Sequence, residues 1–207
     1  MKWFLLLLPV SLLLAAEPRI TYVRSFPGST PPYVEILLER DGSAIYKESA
    51  DDDEPLRFKL HADEVDEVFA LADKLDRFKR PLESNLKVAN MGKKTFRYED
   101  GENKNEVDFN YSLDPDARTL ADWFQRMIET QQHRLVLERT VRFDKLGVNK
   151  ALLQLEAALD RNRIVSFEEF LPMLDRVVKS ESYLHMARER AAYLAETFRS
   201  KRKTKVE

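Results

Sequence analysis

Apolar and polar residues alternate through most of the first half of the chain. The alternation predicts strands at residues 20–26 and 34–38, each with one buried face, separated by a proline-rich loop. Asp41 and Gly42 favour a tight hairpin turn, because both central residues of that turn need positive φ angles. Residues 44–47 then form the return strand.

Helical spacing replaces the alternation over residues 65–78. Apolar side chains recur there every three or four positions, and acidic residues come first and basic residues last, as a helix dipole favours. We expect Pro81 to end this helix. Alternation returns at residues 96–98 and 107–111, on either side of a polar turn at residues 100–103. The aromatic face of this second hairpin predicts a sheet that is covered on one side.

The second half of the chain has the spacing of helices. Asp114 is placed to cap a long helix that runs to about Lys145, and Pro115 suits the first turn of that helix. We expect Gly147 to end this helix and Asn149 to cap the next one. No sequence repeat at a fixed offset accompanies the pattern.

A further helix start is predicted at Ser166 and Glu169, which have the spacing of a capping box. Pro172 and the polar residues 179–182 should bend or split the helix that follows. A last helix is predicted over residues 183–198, where apolar side chains again recur at helical spacing.

Together these patterns predict an α+β fold, in which helices cover one face of an antiparallel sheet and an all-helical region follows. We divide the chain into a signal peptide at residues 1–16, an α+β domain at residues 17–132 and a helical C-terminal region at residues 133–207. The signal peptide is inferred from Lys2, the apolar run at residues 3–14 and the two alanines that follow. A bilayer span takes about 20 apolar residues, so this run is too short, and no longer run follows it.

Composition narrows the functional classes. The 207 residues include 34 basic and 36 acidic ones, and 43% are hydrophobic, which is enough for a core and argues against a disordered chain. The net charge of −2 and the pI near 6.0 argue against a specific nucleic-acid binder. The absence of cysteine from the sequence excludes disulfides, thiolate metal sites and cysteine nucleophiles. With the signal peptide, this composition predicts an exported bacterial protein, either periplasmic or secreted.

The loop between the first two predicted strands resembles a motif of an uncharacterised family of exported bacterial α+β domains. That family joins these strands through Cys-x-Gly-x-Cys-Pro-x-Tyr. Three positions of the motif match, at Gly28, Pro31 and Tyr33. Phe26 and Thr30 stand in place of the two cysteines. The resemblance covers roughly residues 20–132 and implies the order hairpin, helix, hairpin, helix, without an assigned activity.

One segment of the second half is similar to the latter part of an EF-hand calcium loop. If Glu169 takes the twelfth position of such a loop, Asp160 and Asn162 take the third and fifth. Ala158 then stands where the first acidic ligand belongs, and Arg163 stands where the turn needs glycine. We therefore predict a helix–helix connection here and no metal site.

The remaining candidate residues have structural explanations. The acidic run at residues 51–54 is typical of a solvated loop, although such a run can hold a hard cation. Four acids suit the first turns of a helix through its dipole: Asp63, Glu64, Asp66 and Glu67. No motif for a nucleotide or a nucleophilic serine occurs, and no histidine has another four residues away. We name no catalytic or cofactor-binding residue, and we expect surface or boundary positions for His61, His133 and His185.

Aromatic and basic residues leave two alternatives open. Core positions are expected for most aromatic residues, with a platform for glycan or peptide as the alternative: Tyr33, Tyr46, Phe96, Tyr98, Phe109, Tyr111 and Trp123. A basic tail closes the chain: Arg199, Lys201, Arg202, Lys203 and Lys205. A solvated helix end explains this tail, and weak, salt-sensitive contact with anionic surfaces is the alternative.

The sequence favours a non-catalytic function over an enzymatic one. We predict an exported, envelope-associated module that interacts with a protein or another envelope component, or that has a structural role. The alternatives are a hydrolase of an envelope polymer, acting through unassigned carboxylates, and a small-ligand binding protein. An exposed apolar patch would favour the interaction module, and a deep pocket with two acids of perturbed pKa would favour the enzyme.

Overall fold

The computed structural model describes residues 17–101 and 103–206, and it places side chains up to Lys201. The predicted signal peptide therefore lies outside the described residues. The strands are β1 (Arg19–Ser25), β2 (Tyr33–Glu39), β3 (Ser43–Lys47), β4 (Leu56–Lys59), β5 (Lys93–Asp100) and β6 (Asn103–Phe109). The α-helices are α1 (Ala62–Lys74), α2 (Pro115–Phe143), α3 (Val148–Asp160), α4 (Leu171–Lys179) and α5 (His185–Val206).

The six strands form one antiparallel sheet in the order β4-β3-β2-β1-β5-β6. Tyr22 pairs with Ile36 on one side and with Phe96 on the other, and all three side chains are at most 1% exposed. α1 and the first half of α2 contribute to the same core, where the ring of Phe124 stacks on Tyr22 with centroids 5.0 Å apart. Burial raises the pKa of Tyr22 to about 12. The predicted α+β class is confirmed.

A second core lies among the helices of the C-terminal half. Leu137 and Val141 of α2 pack there with α3, α4 and α5, whereas Ile128 of the same helix belongs to the first core. α2 is one continuous helix of 29 residues that contributes to both cores. The domain boundary that we predicted between residues 132 and 133 falls inside this helix, a few residues before the change of core, because Leu135 still packs against the first core and Leu137 belongs to the second.

β4 is an edge strand that the sequence analysis did not predict. Such an edge exposes unpaired backbone groups on its outer side unless another element covers it. Arg134 of α2 donates a hydrogen bond to the carbonyl of Arg57 at 3.0 Å, and the hydroxyl of Ser166 donates to the carbonyl of Lys59 at 2.6 Å. Side chains from the helical half therefore supply partners for the backbone of this strand.

The hairpin predicted between β2 and β3 is confirmed, but of its two turn residues Gly42 has the expected positive φ angle and Asp41 does not. Gly42 has a φ angle of 89°, and a Cβ atom there would lie 2.8 Å from the carbonyl oxygen of Leu60. Glycine is thus required both by the backbone conformation and by the approach of a neighbouring segment. The hairpin is closed by Asp41, whose carboxylate accepts hydrogen bonds from the N–H and hydroxyl of Ser43.

The predicted end of the first helix is wrong. α1 ends at Lys74 rather than near Pro81, because the next residues leave the helical conformation. Asp76, Arg77 and Phe78 have φ angles of 52°, 50° and 65° and form a short 3-10 turn. This turn places the ring of Phe78 on that of an aromatic residue of β5, with centroids 5.1 Å apart. Phe78 therefore fits the apolar spacing of the helix in the sequence although it lies beyond the end of the helix, because it packs on the sheet.

Two predicted helix caps are also wrong. α3 already begins at Val148, so Asn149 lies in its first turn, where its side-chain oxygen accepts a hydrogen bond from α5. Ser166 has a left-handed backbone with a φ angle of 48°, and its hydroxyl binds Lys59. The expected capping box between Ser166 and Glu169 is therefore absent. The predicted split of the following helix is confirmed, because a 3-10 turn, α4 and α5 replace it.

We expect Asp114→Ala to destabilise the protein by about 1 kcal/mol, the usual cost of losing an N-cap. The Asp114 carboxylate accepts hydrogen bonds from the N–H groups of Asp116 and Ala117 at the start of α2, and it binds Arg80 at 2.6 Å. The hydrogen bond from Arg80 holds the pKa of Asp114 below its ordinary value. Its contribution should be complete above about pH 4 and should disappear as the pH falls through the lowered pKa.

Urea unfolding of both proteins across this pH range measures the effect. Asp53→Ala is the matched control, because Asp53 lies in an exposed turn between β3 and β4. An equal loss of stability in the two variants would contradict the role of Asp114 as a cap.

Ser166→Ala should cost about 1–3 kcal/mol of unfolding free energy, because the carbonyl of Lys59 then loses its partner. Ser166 is 1% exposed, so solvent does not readily replace its hydroxyl. Ser182→Ala removes an exposed hydroxyl and serves as the control, with an expected change within about 0.5 kcal/mol. Chemical denaturation decides the matter, and a Ser166 variant as stable as the parent would show that β4 does not need this bond.

Candidate functional site

The segment similar to an EF-hand is occupied by ion pairs. Arg163, at the position of the loop glycine, binds Glu129 through Nε at 2.8 Å and Asp122 at 2.6 Å. The carboxylate of Glu169 binds Arg134 at 2.8 Å. In the described part of the chain, no group of three or more histidine, cysteine or acidic side chains is arranged to hold a metal ion.

The acidic residues at the start of α1 have partners that their spacing did not indicate. The carboxylate of Glu67 accepts a hydrogen bond from Nε1 of Trp123 at 2.9 Å, and Asp66 binds Arg40 at 2.7 Å. Glu64 accepts a hydrogen bond from the backbone at the helix start. These acids therefore join α1 to α2 and to the end of β2, in addition to any effect on the helix dipole.

The three histidines occupy different environments. Nε2 of His61, just before α1, lies 2.8 Å from a carboxylate oxygen of Glu168 in the helical half. His133 is half-buried on α2, and burial lowers its pKa. His185 is exposed and lies 3.2 Å from Glu189 on the next turn. His61 thus joins the two halves of the molecule, a role that the lone histidine did not reveal in the sequence.

Most of the candidate aromatic residues belong to the core. Five of them are at most 5% exposed: Tyr46, Phe96, Tyr98, Phe109 and Trp123. Tyr33 and Tyr111 are half-buried instead. The hydroxyl of Tyr33 donates a hydrogen bond to Glu35 at 2.6 Å on the same strand. The core interpretation therefore holds for five of the seven residues.

A groove of about 540 Å³ lies between α2 and the start of α4. Its charged lining is paired internally, because Arg134 binds Glu169 at 2.8 Å and Arg142 binds Glu138 at 2.6 Å. Glu168 also lines the groove and contacts the histidine that precedes α1. Two of the three acids of the groove, Glu138 and Glu169, thus have arginine partners.

Carboxyl groups in the described residues show pKa shifts in one direction. Where a clear departure from the ordinary pKa occurs, it is downward, for Asp41, Glu83, Glu99, Asp108 and Asp114. A backbone hydrogen bond from Asn110, for example, lowers the pKa of Glu83. A catalytic general acid needs a raised pKa to keep its proton near neutral pH. These five carboxyl groups are stabilised as carboxylates and do not fit that role.

Large apolar side chains are exposed where α3 lies beside α5. Leu146 and Leu153, on the α3 side, are 75% and 50% exposed, and Met186 and Tyr193, on the α5 side, are 56% and 54% exposed. We call these four residues the α3–α5 surface. Exposed apolar residues that lie together mark interaction sites in soluble proteins.

Polar contacts join the two helices beneath this surface. Arg190 of α5 binds Glu156 at 2.7 Å and also donates a hydrogen bond to the side chain of Asn149. The amide of Asn149 lies 3.4 Å from the sulfur of Met186. Leu153 stands on the same face of α3, one turn after Asn149 and one turn before Glu156, which places it beside this bridge. The four apolar residues therefore lie around a fixed polar seam.

Sequence analysis did not find this surface, although one signal was present. Leu152 and Leu153 are adjacent leucines in the helix that we predicted after Gly147. Adjacent residues of a helix point about 100° apart, so neighbouring leucines do not share the centre of one buried face. In the structure Leu152 is fully buried and Leu153 is half exposed.

The basic tail is described only in part. The backbone of α5 continues to Val206, and Arg199 binds both carboxylate oxygens of Asp175 at 2.6 and 2.8 Å. The side chains of the remaining basic residues after Lys201 lie outside the described residues. Among the residues that are described, no helix is both long and apolar enough to cross a membrane.

No protein-family model matches this chain, and no curated protein matches it. The resemblance to the exported α+β family therefore stays a prediction.

Proposed function

We propose that this protein is an exported, non-catalytic module of the cell envelope that interacts with another macromolecule. The observation that carries the proposal is the α3–α5 surface, where four large apolar side chains are at least half exposed. Leaving such side chains in water has no benefit for folding, since fully burying an exposed one contributes about 1.5–3 kcal/mol and covering the exposed part of these would contribute at least half of that. A partner that covers them would provide that burial.

The alternative of a hydrolase has weaker support. Such an enzyme needs one carboxyl group with a raised pKa and a second carboxylate nearby. The clear shifts among the described carboxyl groups are downward, and two acids of the groove between α2 and α4, Glu138 and Glu169, are paired with arginines. The same pairing weighs against a small charged ligand in that groove, since the ligand would have to displace existing ion pairs.

Export is part of the proposal and rests on the sequence at residues 1–16. We expect the exported protein to begin near Glu17, because the charged start, apolar run and small residues match a signal peptide. The intact mass of the protein recovered from the periplasm or medium tests this expectation. A membrane-bound protein that keeps residues 1–14 would contradict it.

Cross-linking of the protein in its native envelope tests the interaction. We expect Leu146→Ser and Tyr193→Ser to lose the cross-linked species, because each removes an exposed apolar side chain from the α3–α5 surface. Leu113→Ser is the matched control, since Leu113 is 59% exposed just before α2, outside that surface.

Circular dichroism and melting should be unchanged for all three variants, because exposed residues contribute little to the core. Cross-links that persist equally in every variant would overturn the assignment of the interaction to this surface. Their complete absence from the parent protein would overturn the proposed function.

A further inference from the structure

We infer that the α3–α5 surface binds a second copy of this chain, through a two-fold axis that runs along the seam between the two helices. The inference rests on the proposed function and names the occupant of the same surface. An isologous interface of this kind requires that the features on one side of the axis complement the features on the other side. The residues along α3 and α5 satisfy this requirement in both apolar shape and charge.

The two sides of the seam carry matching apolar positions. Leu146 and Leu153 are seven residues apart on the α3 side, and Met186 and Tyr193 are seven residues apart on the α5 side. Met186 and Tyr193 are two helical turns apart and lie on one line of α5, whereas Leu146 belongs to the turn just before α3 and Leu153 to α3 itself. Rotation about the seam brings the leucines of one copy over the methionine and tyrosine of the other. Because the axis is two-fold, this contact between leucines and the methionine and tyrosine occurs twice in the dimer.

The direction of the two helices keeps this match in register. The side chain of Asn149 contacts Met186 near the start of both helices, and Glu156 binds Arg190 further along both. The contacts thus progress in the same direction along α3 and α5. A two-fold axis parallel to the seam preserves that direction, so the Leu146 end of one copy meets the Met186 end of the other.

The charges outside the apolar positions are opposite on the two sides. Lys150 lies in the first turn of α3, four residues after Leu146, and it is exposed. Glu189 lies on the α5 side, one turn after Met186, and its side chain is 67% exposed. The rotation places Lys150 of each copy opposite Glu189 of the other, which gives two intermolecular ion pairs. Such complementary charges at the rim fix the register of an interface.

The polar seam does not oppose this association. Arg190 and Glu156 bind each other at 2.7 Å with side chains that are about one-quarter exposed, so their charges are already compensated within one copy. Covering a compensated pair costs less than covering an unpaired charge. The centre of the interface can therefore be closed by the apolar residues around it.

Sedimentation equilibrium of the exported form over a range of concentrations tests the inference. The parent protein should be a dimer that dissociates on dilution, and Leu153→Glu should weaken the dimer at least about tenfold, because it places a charge in the apolar part of the contact. Lys150→Glu and Glu189→Lys should each weaken the dimer, since each brings like charges together. The double variant that carries both changes should recover the association.

Lys87→Glu is the matched control, because it makes the same charge change at an exposed residue of the loop before β5, and it should not alter the association. Recovery in the double variant supports the two-fold arrangement, because a different partner would not restore a charge match with this chain. A monomer at every concentration, a dimer that Leu153→Glu leaves intact, or a double variant as weak as the singles would overturn it.

The outcome is separable from that of the proposed function. If the protein is a monomer but the cross-links in the envelope still depend on Leu146 and Tyr193, a different protein binds the surface, and only the inference of a second copy fails. If the cross-links are also absent, both fail.

Discussion

The rest of the structure depends on the burial of two separate apolar segments of one continuous helix. The first segment of α2 packs under the sheet and the last turns pack with α3, α4 and α5. Between them Thr130 and Gln131 are fully buried although they are polar. The hydroxyl of Thr130 accepts a hydrogen bond from the N–H of Val165 at 3.1 Å and donates to the carbonyl of Arg126 at 2.8 Å. These two polar residues interrupt the apolar face of α2. The hydrogen bond between Val165 and Thr130 thereby holds the segment after α3 against α2.

That fixed segment explains how the edge of the sheet is covered. Once Val165 is bound to α2, the next residue, Ser166, reaches the backbone of β4, and Glu168 reaches the histidine before α1. Arg134, one turn after Thr130, binds both the backbone of β4 and Glu169. The two halves are therefore joined by a network of polar contacts beside the two cores. The acceptors in β4 are the backbone carbonyls of Arg57 and Lys59, which remain when the side chains of these residues are changed.

Local patterns predicted most of the fold because five of the six strands alternate and the long helices carry regular apolar stripes. β4 was missed because four residues after an acidic loop give too short a pattern of alternation. The side chains that bind its backbone carbonyls come from α2 and from the segment before α4. The end of α1 was misplaced because Phe78 continues the helical spacing, while its left-handed backbone carries it onto a strand. Ser166 was taken for a cap because its spacing to Glu169 matches a capping box, whereas its hydroxyl binds the carbonyl of Lys59, 107 residues away in sequence.

The α3–α5 surface was harder to predict, because the sequence pattern does not distinguish the apolar residues that are buried from those that are exposed. Met186 and Leu153 fit the same helical spacing as buried neighbours, and only the packing of α3 against α5 shows that they face outward. The ion pairs of Arg163 could not be predicted from spacing within one helix, because Arg163 is more than 30 residues away from both of its acidic partners. Sequence spacing reports contacts within an element well and contacts between elements poorly.

Stability and interaction depend on different residues of the same two helices. On α3, Leu152 and Leu155 are at most 1% exposed and belong to the second core, whereas Leu153 is 50% exposed. On α5, Leu194 is buried next to the half-exposed Tyr193. A polar change on the outer positions therefore removes little burial, while the same change one residue away leaves a polar group in the core. Substitutions on the outer face of the two helices can therefore change binding while the fold is kept.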